Sequence, residues 1–244
     1  MAALRTVWSA LVSLYEEMLV LVAGNLAALA LNLPIGLVLL AIALLVVPGG
    51  EGSSAQWLVA MIAWLLPFLP TPGNLALANL ARVSSGSEIP HFADFIDGLR
   101  SRWRLGVRST LVSVLVLAAL VWNIVFYVQV GSGWVRFVSI LWLYATLSWL
   151  SLHVYVIPFA AHVAEPRLFD VYRRAAFVAL GHPGYTVALL LALLVVGFAA
   201  LVFVPVYVLV GGAFISLAQA QALREIRRRH GDLVAGADEE VSSL

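Results

Sequence analysis

The polar residues that could do chemistry inside this chain are few, and they stand within long apolar stretches. His153 has Trp149 one helical turn away, Asn25 and Asn32 share a helical face, and Asn123 stands in another stretch. A histidine or an amide inside a bilayer either bonds to a neighbouring helix or contacts a solute or proton. We favour the structural role for all four residues, and a solute path remains the alternative.

Charged residues cluster instead in the segments between the apolar stretches. Each Asp in these segments has an Arg within one or two helical turns, which is typical of a solvated or partner-binding surface. Paired catalytic acids are a weaker interpretation. The candidate docking residues are Asp94, Asp97, Arg100, Arg104, Asp170, Arg173 and Arg174.

The sequence lacks the patterns of most enzymes and metal sites. It has no Cys, and its other histidines, His91, His162, His182 and His230, have no metal-ligand spacing. We find no nucleophilic triad, phosphate-binding loop or dinucleotide fingerprint. We therefore expect no catalytic residues, no metal and no cofactor, and the net charge of +1 argues against a nucleic-acid partner.

The composition places these residues in a membrane protein. Hydrophobic residues make up 63% of the chain and charged residues 11%, whereas soluble domains carry about 25% charged residues. One uncharged stretch, Leu180–Leu223, would measure roughly 60 Å as a single helix, so we expect it to fold back near Pro205. The predicted spans are residues 18–47, 55–81, 109–135, 137–164, 181–203 and 206–223.

Arginine placement predicts how these six spans are threaded. Arginines concentrate between the second and third spans, between the fourth and fifth spans, and after the sixth span. Because cytoplasmic loops carry the excess of positive charge, both termini should be cytoplasmic. The spans form one polytopic domain over residues 1–230, and we expect residues 231–244 to be a disordered acidic tail.

Apolar residues at helical spacing precede each pair of spans. Such stripes predict interfacial amphipathic helices lying on the cytoplasmic side. The predicted fold is therefore an all-α membrane protein of six transmembrane helices in three hairpins, each preceded by such a helix. The stripes are Leu4, Val7, Trp8, Leu11 and Tyr15; Phe92, Phe95, Ile96, Leu99 and Trp103; and Leu168, Val171, Tyr172, Ala175 and Ala179.

The region from Pro72 to Arg100 carries a recognisable series of motifs. It reads Pro72-Gly-Asn-Leu-Ala-Leu-Ala-Asn-Leu-Ala-Arg82, then Gly86-Ser-Glu88, then Phe92-Ala-Asp-Phe-Ile-Asp-Gly-Leu-Arg100. This series resembles the signature region of the YesL family, small bacterial integral membrane proteins whose domain has no assigned function. The resemblance covers about residues 70–180. It implies a place in the bacterial inner membrane and, because members are often encoded beside carbohydrate uptake systems, a role near sugar transport.

These observations lead to a first functional hypothesis and two rivals. The first is a non-enzymatic accessory or assembly factor, partnered by the lipid bilayer and a membrane transport complex. The rivals are a transporter for a small neutral solute, using His153, Asn25 and Asn32, and a lipid-active enzyme. A water-filled cavity at mid-membrane would favour transport, and a packed interior would favour docking.

The threading can be tested by labelling, because the sequence has no native Cys. Single cysteines placed at Ser53, Ser87, Ser132 and Ser242 should react with an impermeant thiol reagent in whole cells only at positions 53 and 132. Labelling of position 242 from outside would contradict six spans and restore five.

Overall fold

The protein is helical throughout the part that the computed structural model describes, which is residues 2–46, 65–86, 89–130, 133–163 and 167–242. No strand occurs in these ranges. Short helical turns stand at Leu66–Phe68, Gly133–Phe137 and Val204–Val206, and a π-helical turn at Tyr207–Gly211. The longer helices are α1 (Ala2–Glu16), α2 (Met18–Val46), α3 (Pro72–Ser84), α4 (Phe92–Val130), α5 (Val138–His162), α6 (Leu168–Gly181), α7 (Pro183–Val202) and α8 (Gly212–Ser242).

Several of these helices are long and apolar enough to cross a membrane. Within the described residues there are four: Met18–Ala41, Phe92–Gln129, Gly133–His162 and Val204–Arg228. Helices α6 and α7 make a fifth if this pair, bent by 102° at their junction, is one span. The protein is thus a multi-pass membrane protein by helix length and composition, with large apolar side chains such as Leu141 and Phe198 exposed on its outside.

The count of six spans and three hairpins stays a prediction. Most of the predicted span 55–81 lies outside the described residues, and its remaining part is interrupted at Leu69–Thr71 before α3 begins. Helix α3 itself has 13 residues, about 20 Å of helix, which is too short to cross a bilayer alone.

Helix α3 forms the centre of the bundle. Every residue of α3 except Arg82 is buried. It packs against α2, α4, α5 and α8, and Leu75, Leu77 and Leu80 are among the most deeply buried side chains. A helix that is covered on all sides fixes the positions of the four helices around it.

Glycines allow α3 to approach its neighbours backbone to backbone. A Cβ atom on Gly106 of α4 would lie 2.7 Å from both the Cα and the N atom of Pro72. A Cβ on Gly98 would lie 2.7 Å from the Cβ of Asn79, and one on Gly73 would lie 2.9 Å from the carbonyl oxygen of Ala28 in α2. Small residues at helix contacts are the usual means of close packing in membranes.

This packing divides the predicted apolar stripe of α4 between the bundle and the outside. Phe95 is buried as expected, at 1% exposure, but Trp103 is 46% exposed. Arg102, expected on the polar side, is half-buried instead. The reason is that Gly98 and Gly106 fit against α3, so their side of α4 faces the bundle.

The other two stripes also face different environments. In α1 the bundle contacts Thr6 and Ala10, while Trp8 and Tyr15 of the predicted stripe are largely exposed. In α6, Val171 and Ala175 of the stripe are buried in the bundle. An outward apolar stripe such as that of α1 is suited to lipid contact, but an interfacial position for all three helices remains a prediction.

The long fifth stretch folds back as its prolines and glycines predicted. Helix α7 ends at Val202, and the chain breaks at Phe203 before Pro205. The hydroxyl of Tyr185, near the start of α7, is 2.9 Å from the hydroxyl of Thr6 in α1. Gln221 of α8 donates to the hydroxyl of Ser13 in the same helix α1 at 3.2 Å, so α8 returns to the end from which α7 departs.

Helix α8 continues to Ser242, where the composition predicted a disordered tail over residues 231–244. The segment contains Ala235, Ala237, Glu239 and Glu240, which are all compatible with a helix. Helix propensity alone does not account for the continued helix, because Gly231 and Gly236 in the same segment disfavour it.

The contact between α3 and α4 can be tested with Gly106→Ala. The added methyl group would overlap backbone atoms of Pro72, so the free energy of unfolding should fall by about 1–3 kcal/mol. Gly184→Ala is the matched control, because nothing lies within 4 Å of its Cβ position, and it should be neutral or slightly stabilising. Equal melting temperatures of the two variants in detergent would contradict the close contact.

Candidate functional site

Asn74 forms hydrogen bonds across the break in the helical chain before α3. Its backbone N–H donates to the hydroxyl of Thr71 at 3.1 Å, which caps the helix. Its side-chain Nδ2 donates to the carbonyl oxygens of Leu66 at 2.8 Å and of Leu69 at 2.7 Å. The carbonyl oxygens of Leu66 and Leu69 also accept from the backbone N–H groups of Leu69 and Thr71. Asn74 therefore gives each carbonyl a second hydrogen bond and ties α3 to the segment before it.

The two asparagines of α2 form hydrogen bonds to the two places where the helical chain is interrupted, before α3 and before α8. Asn32 donates to Oδ1 of Asn74 at 2.9 Å. Asn25 donates to the carbonyl oxygens of Val208 at 2.7 Å and Leu209 at 3.0 Å, and its Oδ1 accepts from the N–H of Ala213 at 3.1 Å. Both asparagines are buried, and both make the interhelical bonds that we expected of them.

Asn123 differs from the other intramembrane candidates. Its Nδ2 donates to the carbonyl oxygen of Ala119 in its own helix at 2.7 Å, and the residue is partly exposed. The expected interhelical bond is therefore replaced by a bond within α4.

His153 belongs to a buried polar cluster that brings three helices together. Its Nε2 lies 2.8 Å from the hydroxyl of Ser113 in α4, and that hydroxyl lies 2.9 Å from the hydroxyl of Tyr172 in α6. The other ring nitrogen, Nδ1, lies 2.7 Å from the carbonyl oxygen of Trp149. The indole of Trp149 stacks on the Tyr172 ring at 5.7 Å between centroids, which closes the cluster from the side.

The partners of His153 determine where the protons lie. A carbonyl oxygen only accepts, so Nδ1 carries the proton and Nε2 accepts one. Ser113 then donates to Nε2, and Tyr172 donates to Ser113. The three side chains form one directed chain of hydrogen bonds in which each hydroxyl proton is used.

The pair of Ser113 and His153 has the arrangement of a nucleophile with its general base. Both residues have 0% exposure, so a substrate atom cannot reach the hydroxyl in this structure. What the cluster does here is to tie α4, α5 and α6 together at one level of the bundle.

Sequence reasoning found His153 and Trp149 but missed Ser113 and the role of Tyr172. Tyr172 was assigned to the apolar stripe of α6, and Ser113 is one of several serines in apolar stretches. A signal existed in the phenol itself, because a buried tyrosine hydroxyl needs a partner.

The charged candidates lie at one end of the bundle, and they do not all have the same role. Asp97, Arg100, Arg104, Arg173 and Arg174 are exposed, and Asp170 is partly exposed. Asp94 instead accepts a hydrogen bond from the N–H of the N-cap residue His91 at 2.8 Å, as in a capping box, and so caps the start of α4. Asp170 pairs with Arg173 at 3.9 Å across an exposed turn of α6, a contact worth little to stability.

Arg102 was not among the candidates, yet it makes the most specific contacts at this end. It donates from Nε to the carbonyl oxygen of Ala160 at 2.7 Å and from Nη2 to that of Ala161 at 2.8 Å. These are carbonyls in the last turn of α5, so Arg102 caps that helix and fixes it against α4.

Two cavities open at the same end. The first measures about 540 Å³ and lies between α1, the end of α3 and α8, with Arg5, Glu16, Glu17, Arg224, Glu225 and Arg228 as its charged lining. The second measures about 620 Å³ and lies between the ends of α3, α5 and α8. We call this end of the bundle, which carries Arg82, Arg102 and Arg224, the arginine-rich end.

Comparison with known proteins finds no matching protein family, curated protein or solved structure. The likeness to the YesL family therefore stays a prediction from its motifs.

The structural role of His153 can be tested by substitution. His153→Leu leaves the hydroxyl donor of Ser113 without its acceptor and should lower the free energy of unfolding by about 1–3 kcal/mol. His153→Gln keeps one donor and one acceptor and should lose less, by a difference on the order of 1 kcal/mol. If both variants melt like the native protein in detergent, the structural role is wrong and contact with a solute becomes the better explanation.

Proposed function

We propose that this protein is a non-enzymatic accessory or assembly factor that acts by docking a partner at its arginine-rich end. The observation that carries this proposal is a contrast in how polar groups are used. Asn25, Asn32 and His153 are buried and hydrogen-bonded within the protein, whereas Asp97 and Arg100 are exposed and make no ion pair with any described residue. Recognition chemistry is therefore available at the end of the bundle.

The distribution of arginine supports a cytoplasmic location for this end. Arg82, Arg102 and Arg224 lie there together with the exposed arginines of α4 and α6. The positive-inside rule then orients the bundle, with the ends of α1 and α8 that meet at Ser13 and Gln221 on the same side. In the bacterial inner membrane, both chain termini would be cytoplasmic.

The mixture of positive and negative side chains on this surface favours a protein partner over lipid alone. A layer of anionic headgroups attracts any cluster of Lys or Arg. Asp97 and Asp170 weaken that attraction, but together with the arginines they form a charge pattern that a protein surface of complementary charge can bind specifically. The resemblance to the YesL family supports a membrane transport complex for carbohydrate as this partner.

The broken chain before α3 is the one observation that favours a transporter for a small neutral solute. Interrupted helices often form transport sites, because their freed backbone groups bind the substrate. Here Asn74 and Thr71 bind those groups instead, and both residues are buried. A solute path would require Asn74 to release its carbonyl partners during transport.

Docking can be tested with a charge swap that leaves the net charge unchanged. Asp97→Arg combined with Arg100→Glu reverses the pattern on α4 but keeps the total attraction to lipid. We expect the native protein to co-purify a transport complex from native membranes, and the swapped protein should fold and insert normally but lose that complex. Asp94 is left intact because it caps α4.

The control is Arg136→Gln, at an exposed residue between α4 and α5 at the opposite end of the bundle, and it should keep the partner. Retention of the complex by the α4 swap, together with loss of solute uptake in Asn32→Ala and His153→Ala, would contradict docking and support transport.

A further inference from the structure

We propose that the second cavity of the arginine-rich end is a binding site for a phosphate group. Its charged lining consists of four arginines, Arg82, Arg224, Arg227 and Arg228, with His162 beside them. No carboxylate of a described residue lines it. A volume of about 620 Å³ is within the range of pockets for small molecules and large enough for a phosphorylated headgroup or a nucleotide.

The arginines come from separate helices and converge on one region. Arg82 is near the end of α3, His162 ends α5, and the other three arginines are on α8. The arginines Arg82, Arg224 and Arg227 all line the same cavity beside His162. Because like charges that are held close raise the free energy of the empty site, a bound anion would lower it.

Two of the guanidinium groups are held in place by neutral partners. Arg82 points both Nε and Nη2 at Oδ1 of Asn79, each at 3.4 Å. Asn79 is itself fixed by donation to the carbonyl oxygen of Asp94 at 2.8 Å. The guanidinium of Arg227 lies 5.8 Å above the ring of Phe159. These contacts orient the side chains but leave their charge uncompensated.

Arg228 differs from the other arginines of the cavity, because a carboxylate partly neutralises its charge. It pairs with Glu225 at 3.7 Å, and its side chain remains 67% exposed. The neighbouring first cavity shares Arg224 and Arg228 but also includes Glu16 and Glu17. Since the first cavity has acidic and basic residues in balance, the anion should prefer the second one.

The donor geometry identifies the ligand chemistry as phosphate. Guanidinium groups donate pairs of parallel N–H bonds that match the oxygens of a phosphate, and several of them can surround one tetrahedral group. The phosphate can belong to an anionic phospholipid of the adjacent leaflet or to a soluble phosphorylated compound. Both sources present the same chemistry to the arginines.

The experiment uses the full chain purified in detergent and has two arms. In the first, the melting temperature is measured with inorganic phosphate and with chloride at equal ionic strength. In the second, native mass spectrometry counts bound phosphatidylglycerol and bound phosphatidylcholine. Stabilisation by phosphate identifies a soluble source, and selective retention of phosphatidylglycerol without that stabilisation identifies a lipid source.

The variants decide whether the cavity is responsible. Arg82→Gln with Arg227→Gln should lower the affinity for the active probe by about tenfold or more. Arg108→Gln with Arg136→Gln removes the same charge elsewhere and should leave that affinity unchanged. The single variant Arg224→Gln, at an exposed residue, serves if the double variant does not fold. Lack of response to either probe, or equal responses in the cavity and control variants, would overturn the proposal.

Discussion

The structure depends on satisfying backbone carbonyls where a helix is broken inside an apolar bundle. Water is not available there, so each freed group must find a partner in the protein. Asn74 binds the carbonyls of Leu66 and Leu69, and Asn25 binds those of Val208 and Leu209. Helix α2 takes part in both arrangements, because its Asn32 bonds to Asn74.

The break before α3 has consequences along the whole bundle. It allows a helix of 13 residues to lie entirely inside, where Gly98 and Gly106 of α4 contact its backbone. That contact sets the rotation of α4 and so directs Arg102 to the end of α5. The polar groups of the interior thus maintain the architecture, and the charged groups available for recognition are at the arginine-rich end.

Part of the site could be predicted from residue type alone. An asparagine or a histidine in an apolar stretch needs a partner, and Asn25, Asn32 and His153 each have one. The identity of the partner could not be predicted. Ser113 and Tyr172 are 40 and 19 residues away from His153 in sequence, and many hydroxyl residues stand at similar positions in the apolar stretches.

By itself, the sequence determined the membrane class, the helical content, the break near Pro205 and the positions of the basic segments, because each follows from local composition. Only the tertiary structure decided that Trp103 faces outward and Arg102 inward, and that Arg82 and Arg227 converge. In a soluble protein the apolar side of a helix indicates the core. In a membrane, lipid and protein interior are both apolar, so the apolar side of a helix can face either one. Close packing at glycines then determines which side faces the neighbouring helices.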